Sequence, residues 1–575
     1  MMKTAVVTFL VVLAAVASAG EIENLWPDGK MPDPQAHQQA LPVDRENDPD
    51  FRKGERQLPY LEWCDAPAAS NRTGSCMILI SGGGYFNWCD VDMVNGWEKR
   101  LTALGVQCVK LVYRTPRPEG LPIYQSAWED GQRAVRLVRS EAAKRGFDPE
   151  RIGAMSMSAG SHLALLLATS AETPAYAPID EIDRISCHLD WAAPNAIAYA
   201  LTDGIGHPNT TGGNGPDVKL DDIFRFDAKT CPVSMAHGGN DEYSPIASTL
   251  VYRKLRERRI PAEVHLYPDK GHGAYGLERH IEFMRQMGWL GRLEPEVKLL
   301  DRYADDSDRA SYEKHDLWPE GKIPSYDAKQ NVPYLEWHLP KNRRSDAIFL
   351  IYSGGSYVWN SPDCHEVAPA RRRLNQEGCT VVTMSYRVPP TAGAAKHLAA
   401  WQDLQRAIRV VRSQARSRGL DPNRICIMGS SAGGHLTLLG VTSSPESAYE
   451  PIDEIDRLPC NVQLAVAIYP AYALTDGVDR ENAFGGNRDE DVLVRELKFD
   501  AMTVPTLFVH GDADGWAAMN SVKCWERMRR MGVQSEVHTL ATRVHCFHRD
   551  ASPGTGSYTV LERILEFAKA KGFIR

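Results

Sequence analysis

Two short runs in this chain set a serine among small residues: Ser156-Met157-Ser158-Ala159-Gly160 and Gly429-Ser430-Ser431-Ala432-Gly433. A serine hydroxyl is a weak nucleophile until a neighbouring base takes its proton. The G-x-S-x-G pattern suits a sharp strand-to-helix turn, which crowds its flanks and lifts the hydroxyl above a sheet. Serine stands for the leading glycine in the first run and is still small. Downstream of Ser158 come His237-Gly238-Gly239-Asn240-Asp241 and then Lys270-Gly271-His272-Gly273. Downstream of Ser431 come His510-Gly511-Asp512-Ala513-Asp514 and then Arg543-Val544-His545-Cys546. Serine, aspartate and histidine in that order can perform acyl transfer: the histidine takes the serine proton and the aspartate orients the imidazole. The pairs Ser158 and Ser431, Asp241 and Asp514, and His272 and His545 each lie 273 residues apart. His237 and His510 are the alternative bases, although a histidine just before a turn glycine more often holds its loop.

Acyl transfer also needs N–H donors for the oxyanion of the tetrahedral intermediate. Ser81-Gly82-Gly83-Gly84-Tyr85 and Ser353-Gly354-Gly355-Ser356-Tyr357 follow early apolar runs. Glycine lets backbone N–H groups turn toward a substrate. The expected donors are Gly83, Gly84 and Ala159 in one copy, and Gly355, Ser356 and Ala432 in the other. A glycine run alone is better explained by a plain turn; its place ahead of a triad reverses that and favours the donor reading. No C-x-x-C zinc spacing occurs, no metal-ligand set recurs in both copies, and this chemistry needs neither metal nor organic cofactor.

Such side chains need a rigid scaffold, and the sequence alternates strand-like and helix-like segments. Cys76–Ser81, Val106–Tyr113 and Ile152–Ser156 read as strands, with helices over Ser126–Arg145 and Ser161–Thr169. The second copy repeats this as strands at Ile348–Ser353, Thr380–Tyr386 and Ile425–Ser430, and helices at Trp401–Arg418 and Gly434–Thr442. The order predicts an α/β fold: two tandem domains, each a mostly parallel sheet flanked by helices.

The duplication is written in further motifs. NLWPDGKMP at Asn24 returns as DLWPEGKIP at Asp316, LPYLEW at Leu58 as VPYLEW at Val332, and PIDEIDR at Pro178 recurs at Pro451. A period this long marks duplicated domains, since solenoid units run only about 20–50 residues. Residues 1–19 read as a signal peptide: Lys3, an apolar run from Ala5 to Val16, then Ala17-Ser18-Ala19. Residues 20–299 form the first domain, the polar stretch 300–315 a linker, and 316–575 the second domain.

Of the 575 residues 43% are hydrophobic and the net charge is -8, so each half can bury a full core and nothing points to nucleic acid. No later segment is apolar enough for stable membrane insertion, which predicts a secreted or periplasmic location. Of twelve cysteines only Cys187 and Cys460 correspond between copies, which favours buried thiols over a shared disulfide framework.

These residues resemble the α/β-hydrolase superfamily. More narrowly the chain is similar to acetyl xylan esterases and bifunctional feruloyl/acetyl carbohydrate esterases. The likeness rests on the glycine runs ending in Tyr85 and Tyr357, on Tyr113-Arg114 and Tyr386-Arg387, on Asp148-Pro149 and Asp421-Pro422, and on Ser431-Ala432-Gly433-Gly434-His435-Leu436. The resemblance implies a serine esterase that removes acetyl or feruloyl groups from plant polysaccharides such as xylan, with an acylated carbohydrate or small ester as its partner. The alternatives are a serine peptidase of the prolyl-oligopeptidase type, a scaffold of two dead hydrolase domains, and one live domain beside a carbohydrate-binding one.

Overall fold

A computed structural model describes residues 20–27, 30–34, 59–88, 92–202, 218–291, 299–475, 492–549 and 560–575. The expected signal peptide, 1–19, lies outside the described residues.

The first half contributes β1 (Glu21–Asn24), β2 (Tyr60–Trp63), β3 (Cys76–Ile80), β4 (Gln107–Val112), β5 (Ile152–Met157), β6 (Trp191–Asn195), β7 (Val233–Gly238) and β8 (Ala262–Tyr267). The second contributes β9 (Arg309–Asp316), β10 (Tyr334–Pro340), β11 (Ile348–Tyr352), β12 (Thr380–Ser385), β13 (Ile425–Ser430), β14 (Leu464–Ile468), β15 (Thr506–Gly511) and β16 (Glu536–Leu540). Each half has one topology, β1-β2-β4-β3-β5-β6-β7-β8 and β9-β10-β12-β11-β13-β14-β15-β16. The first two strands of each are antiparallel to their neighbours and the other six run parallel. Helices cover both faces, so the central strands are buried on both sides and read as unbroken apolar runs such as CMILI in β3.

The helices after the two nucleophile strands, Ala159–Thr169 and Ala432–Thr442, are buried along their whole length. Their sequences are accordingly apolar all round. Close approach is built in at Gly131, where a Cβ would meet Leu163 at 3.0 Å and Leu167 at 3.2 Å.

The segment expected as a linker departs from that reading. It contains a short helix, Leu299–Arg302, and the eight-residue strand β9, which pairs antiparallel with β10. β9 alternates half-buried and exposed positions along RASYEKHD. Polar on both faces and placed at the sheet edge, it has no apolar period that a sequence could show.

The two sheets are one. β8 pairs antiparallel with β16, with Val537 opposite Leu266 and His538 opposite His265, giving a 16-stranded sheet among the described residues. Joining the edges gives hydrogen-bonding partners to backbone that each half would otherwise leave open. The contacts obey a pseudo-two-fold axis. His265 Nδ1 lies 2.9 Å from His538 Nδ1, and these residues are 273 apart. Each imidazole turns its Nε2 to a glutamate on its own strand, Glu263 at 2.9 Å and Glu536 at 2.5 Å. Burial pushes both imidazoles well below, and the Glu263 and Glu536 carboxyls up to about 8 and about 7, so the buried groups favour their neutral forms. Arg256 pairs with Asp512, and Arg529, its counterpart, donates to the carbonyl of Gly239, the counterpart of Asp512.

Because β8 and β16 run in opposite directions, the carboxyl ends of β3–β8 and of β11–β16 lie on opposite edges of the sheet. No helix among the described residues is long and apolar enough to cross a membrane.

Candidate active site

Each nucleophile candidate stands where its strand turns into the next helix. Ser158 follows β5 with φ 58° and ψ -125°, and Ser431 follows β13 with φ 57° and ψ -119°. A non-glycine residue with positive φ is strained, and the surroundings must hold it there. Small flanks permit the turn: a Cβ on Gly160 would lie 2.3 Å from the Ser81 carbonyl oxygen, and one on Gly433 would lie 2.5 Å from that of Ser353. The serines occupy the N-cap positions, so the helix N-termini face the site and favour negative charge there.

The expected triads come together in both halves. His272 Nε2 lies 2.8 Å from Ser158 Oγ, and its Nδ1 lies 2.9 Å from both carboxylate oxygens of Asp241. His545 Nε2 lies 2.8 Å from Ser431 Oγ, and its Nδ1 lies 3.0 and 2.8 Å from Asp514 Oδ1 and Oδ2. Asp241 and Asp514 are buried, and each also accepts a backbone N–H, from Tyr243 and Trp516, at 2.8 Å. Burial acts to raise these carboxyls, but hydrogen bonds from the paired histidines outweigh it and hold both below the ordinary carboxylate range. The alternative bases have another place. His237 is bonded to Ser248 Oγ at 2.9 Å and to the Tyr243 carbonyl at 3.0 Å; His510 is bonded to Ser521 Oγ at 2.8 Å and to the Trp516 carbonyl at 2.7 Å. Both hold the loop that carries the aspartate, with His237 Nε2 also 3.2 Å from Asp241 Oδ2 and His510 Nε2 3.4 Å from Asp514 Oδ2.

The glycine runs lie directly against the nucleophiles. A Cβ on Gly82 would sit 2.8 Å from Ser158 Cβ, and one on Gly354 would sit 2.6 Å from Ser431 Cβ. Gly83 and Gly84 have φ 120° and 62°, and Gly355 and Ser356 have φ 90° and 54°. Ala159 and Ala432 open the two buried helices beside them. The Tyr113 hydroxyl donates to the carbonyls of Ser81 and Gly82 at 3.0 and 3.2 Å, and Tyr386 does the same for Ser353 and Gly354 at 3.0 and 2.5 Å. These bonds hold the Gly82–Gly83 and Gly354–Gly355 peptide planes beside the serines.

Several positioning groups had no role assigned from sequence. The tyrosine ending each glycine run is bonded to a histidine of the nucleophile helix: Tyr85 Oη to His162 Nδ1 and Tyr357 Oη to His435 Nδ1, both at 2.8 Å. Burial pushes each of these imidazoles down to about 3, so they are neutral props. Arg114 and Arg387 grip Asp130 and Asp403 at 2.9 Å, and the same carboxylates accept the indole N–H of Trp26 and Trp318 at 2.7 and 2.8 Å. That explains the repeated LWP motif: its tryptophan clamps the Tyr-Arg turn. The repeat itself was the available signal, since both copies retain every one of these partners.

Two groups of potential metal ligands occur among the described residues, His365, Glu366 and Cys546, and Glu150, His188 and Asp190. In the first, Arg549 Nε donates to His365 Nε2 at 2.8 Å, and Glu366 is engaged by Gly354 and Tyr469. In the second, Asp190 accepts the N–H of Ile152 at the opposite end of β5 from Ser158, on partly exposed surface. All the described cysteines are free thiols, with Cys187 and Cys460 bonded to carbonyls at 3.4 and 3.2 Å.

The BD-FAE family model matches residues 65–196 and 335–523, more than half of the chain and both glycine runs and nucleophiles. The chain belongs to the BD-FAE family. The two matched segments fall one in each half. An acetylxylan esterase of Xylanibacter ruminicola is 33% identical over 221 residues, covering 36% of this chain and 42% of the relative. An endo-1,4-beta-xylanase B of Butyrivibrio fibrisolvens is 28% identical over 214 residues, covering 34% and 32%. The chain therefore spans less than half the length of these curated relatives. Among solved structures, an acetyl ester-xyloside bifunctional hydrolase from Caldicellulosiruptor lactoaceticus is similar at a TM-score of 0.36 and 21% identity, covering 48% of this BD-FAE chain and 100% of that one.

Proposed function

We propose that the protein is a secreted serine esterase with two working sites, removing acyl groups, acetyl or feruloyl, from plant polysaccharides such as xylan. The observation that carries the reading is the pair of complete hydrogen-bonded Ser–His–Asp sets, each beside its own glycine run. In each, Nδ1–H of the histidine donates to the aspartate, which leaves Nε2 to accept the serine proton. The serine oxygen attacks the ester carbonyl, and the carbonyl oxygen becomes an oxyanion facing the N–H groups of Gly83, Gly84 and Ala159, or of Gly355, Ser356 and Ala432. The imidazolium then gives its proton to the leaving alcohol. Water, deprotonated by the same histidine, releases the acid and restores the serine. Every charge change is handled by the chain's own groups. The carbohydrate substrate is supported by what the acetylxylan esterase and xylanase relatives are named for, and secretion by the reading of residues 1–19.

The test is labelling with a fluorophosphonate probe followed by peptide mapping, together with turnover of acetyl, feruloyl and peptide substrates. The expected result is modification of Ser158 and Ser431 and preference for esters. Amidase activity without esterase activity would reject the proposal in favour of a peptidase.

A further inference from the structure

Among the described residues, the second site carries a buried polar cluster. In the second half, Glu366 Oε2 accepts the N–H of Gly354 at 2.5 Å, while Oε1 accepts the Tyr469 hydroxyl at 3.3 Å and lies 3.8 Å from Cys546 Sγ. Each of these partners touches the reacting groups. The Cβ position of Gly354 lies 2.6 Å from Ser431 Cβ and 3.2 Å from Glu366 Oε2. The Tyr469 ring packs edge-on against the His545 imidazole, with centroids 4.7 Å apart. Cys546 directly follows His545 in the chain. Glu366 itself is 5% exposed.

The offset of 273 that relates the triads places Ala196 and Gly273 where Tyr469 and Cys546 stand, and the offsets of 272 and 273 on either side of Glu366 place Val94 or Met93, both apolar, where it stands. The three polar residues are thus replaced together, none of them singly. Ala196 and Tyr469 share the same unusual backbone, with φ 46° and 34°, so the scaffold at that position is common and only the side chain differs. Glu366 gives the buried Tyr469 hydroxyl a partner besides Ser430, and the Gly354 N–H and that hydroxyl give the buried carboxylate its donors. The groups of the cluster thus satisfy one another.

We propose that Glu366 is a positioning residue of the second site, tying the Gly354 peptide beside Ser431 to the Tyr469 and Cys546 side chains behind His545 through a single carboxylate. Gly354 is then gripped on both sides: its N–H by Glu366, and its carbonyl by the Tyr386 hydroxyl at 2.5 Å. That carbonyl shares a peptide plane with the N–H of Gly355, one of the groups that face the oxyanion. Fixing the plane fixes the direction of that donor relative to the serine, and small displacements of reacting groups have large effects on rate. The charged and titratable groups facing Glu366 from the neighbouring elements are His545, Arg549, Tyr469, Tyr386, Cys364 and Cys546. The role does not depend on their titration, because the geometry asks only for an acceptor toward Gly354 and a polar partner for Tyr469.

This inference rests on the two-site reading above, and the experiment separates the two. The full chain carrying Ser158→Ala reports the second site alone, with p-nitrophenyl acetate as substrate and a fluorophosphonate probe for Ser431. Glu366→Ala is expected to lower kcat and the labelling rate about 10- to 100-fold with KM changed by less than about threefold, since positioning and not binding is lost. Glu366→Gln keeps an acceptor for Gly354 and should restore the rate to within about threefold of the parent. Tyr469→Phe, which keeps the packing, should cost about three- to tenfold in kcat and serves where Glu366→Ala fails to fold. A folded Glu366→Ala with unchanged kcat, a Gln variant as impaired as the Ala variant, or an unaffected Tyr469→Phe beside an unfolded Glu366→Ala overturns the proposal. A folded Ser158→Ala parent that neither hydrolyses the ester nor labels overturns the two-site reading, and this inference with it.

Discussion

Replacing one nucleophile should leave the other site working at nearly its full rate. Seven strand-to-strand steps separate β5 from β13 in the sheet order, so at about 4.8 Å per step the two serines are on the order of 34 Å apart across the sheet. They also face opposite edges, because β8 and β16 are antiparallel. Every triad hydrogen bond is made within one half. Substitutions more than about 7–10 Å apart without shared partners add to within about 0.3–0.5 kcal/mol, which is roughly a twofold effect on rate. Loss of the nucleophile itself costs about 10⁶ in kcat in a serine hydrolase. Ser158→Ala and Ser431→Ala should therefore have rates on any one ester that sum to the parent's within about twofold, and the double variant should fall by about 10⁶. The assay is initial rate on p-nitrophenyl acetate and on an acetylated xylo-oligosaccharide, with circular dichroism to establish folding. If the two folded single variants together retain less than about a tenth of the parent rate, the reasoning is wrong and the halves share one site.

Asp241→Asn, measured beside Ser431→Ala, should lower kcat about 10⁴-fold, because the amide favours the wrong imidazole tautomer; a loss under about tenfold would remove Asp241 from the triad. Gly354→Ala must place a methyl 2.6 Å from Ser431 Cβ, so in the Ser158→Ala background it should cost about 10² in kcat at unchanged KM, read from steady-state kinetics. The Glu263 carboxyl is raised from its ordinary value to about 8 and that of Glu536 to about 7. The folded protein thus holds protons that the unfolded chain releases near pH 4–5. Their stabilisation is fully present below that range and is lost as pH rises through about 7 and about 8. Calorimetry of Glu263→Gln with Glu536→Gln should accordingly show a flatter fall of Tm between pH 5 and 9 than the parent; an identical slope would place the pH dependence elsewhere.

The triad candidates were legible because the chemistry fixes side-chain identity, and the duplication fixes spacing. Six residues at one offset leave little freedom, and the structure brings them to hydrogen-bonding distance. The central strands were legible because burial on both faces demands apolar runs. β9 was not, because an edge strand made of Arg, Ser, Glu and His carries no such pattern. The junction was hidden for another reason. Glu263 with His265, and Glu536 with His538, fall on one face at a two-residue period, but nothing in that pattern says what covers them. Glu366 was missed because it is remote in sequence from everything it touches. Its burial draws together the loop before the helix Ala368–Gln376, the end of β14 and the turn carrying His545, and no spacing rule links those segments.

The junction between β8 and β16 has the form of an isologous dimer contact made within one chain, since equivalent residues meet across the axis. Arg253 and Glu526 are such equivalents, 273 apart, and they face each other with Arg253 Nη2 3.4 Å from both carboxylate oxygens of Glu526. Two copies of the first half joined in the same manner would oppose arginine to arginine, and two copies of the second would oppose glutamate to glutamate. The backbone of the contact is indifferent to which halves meet, whereas its charges are not. Fusion has therefore allowed the twins to diverge into a matched pair, so that neighbouring molecules in a crowded medium find no second partner for an edge already claimed within the chain.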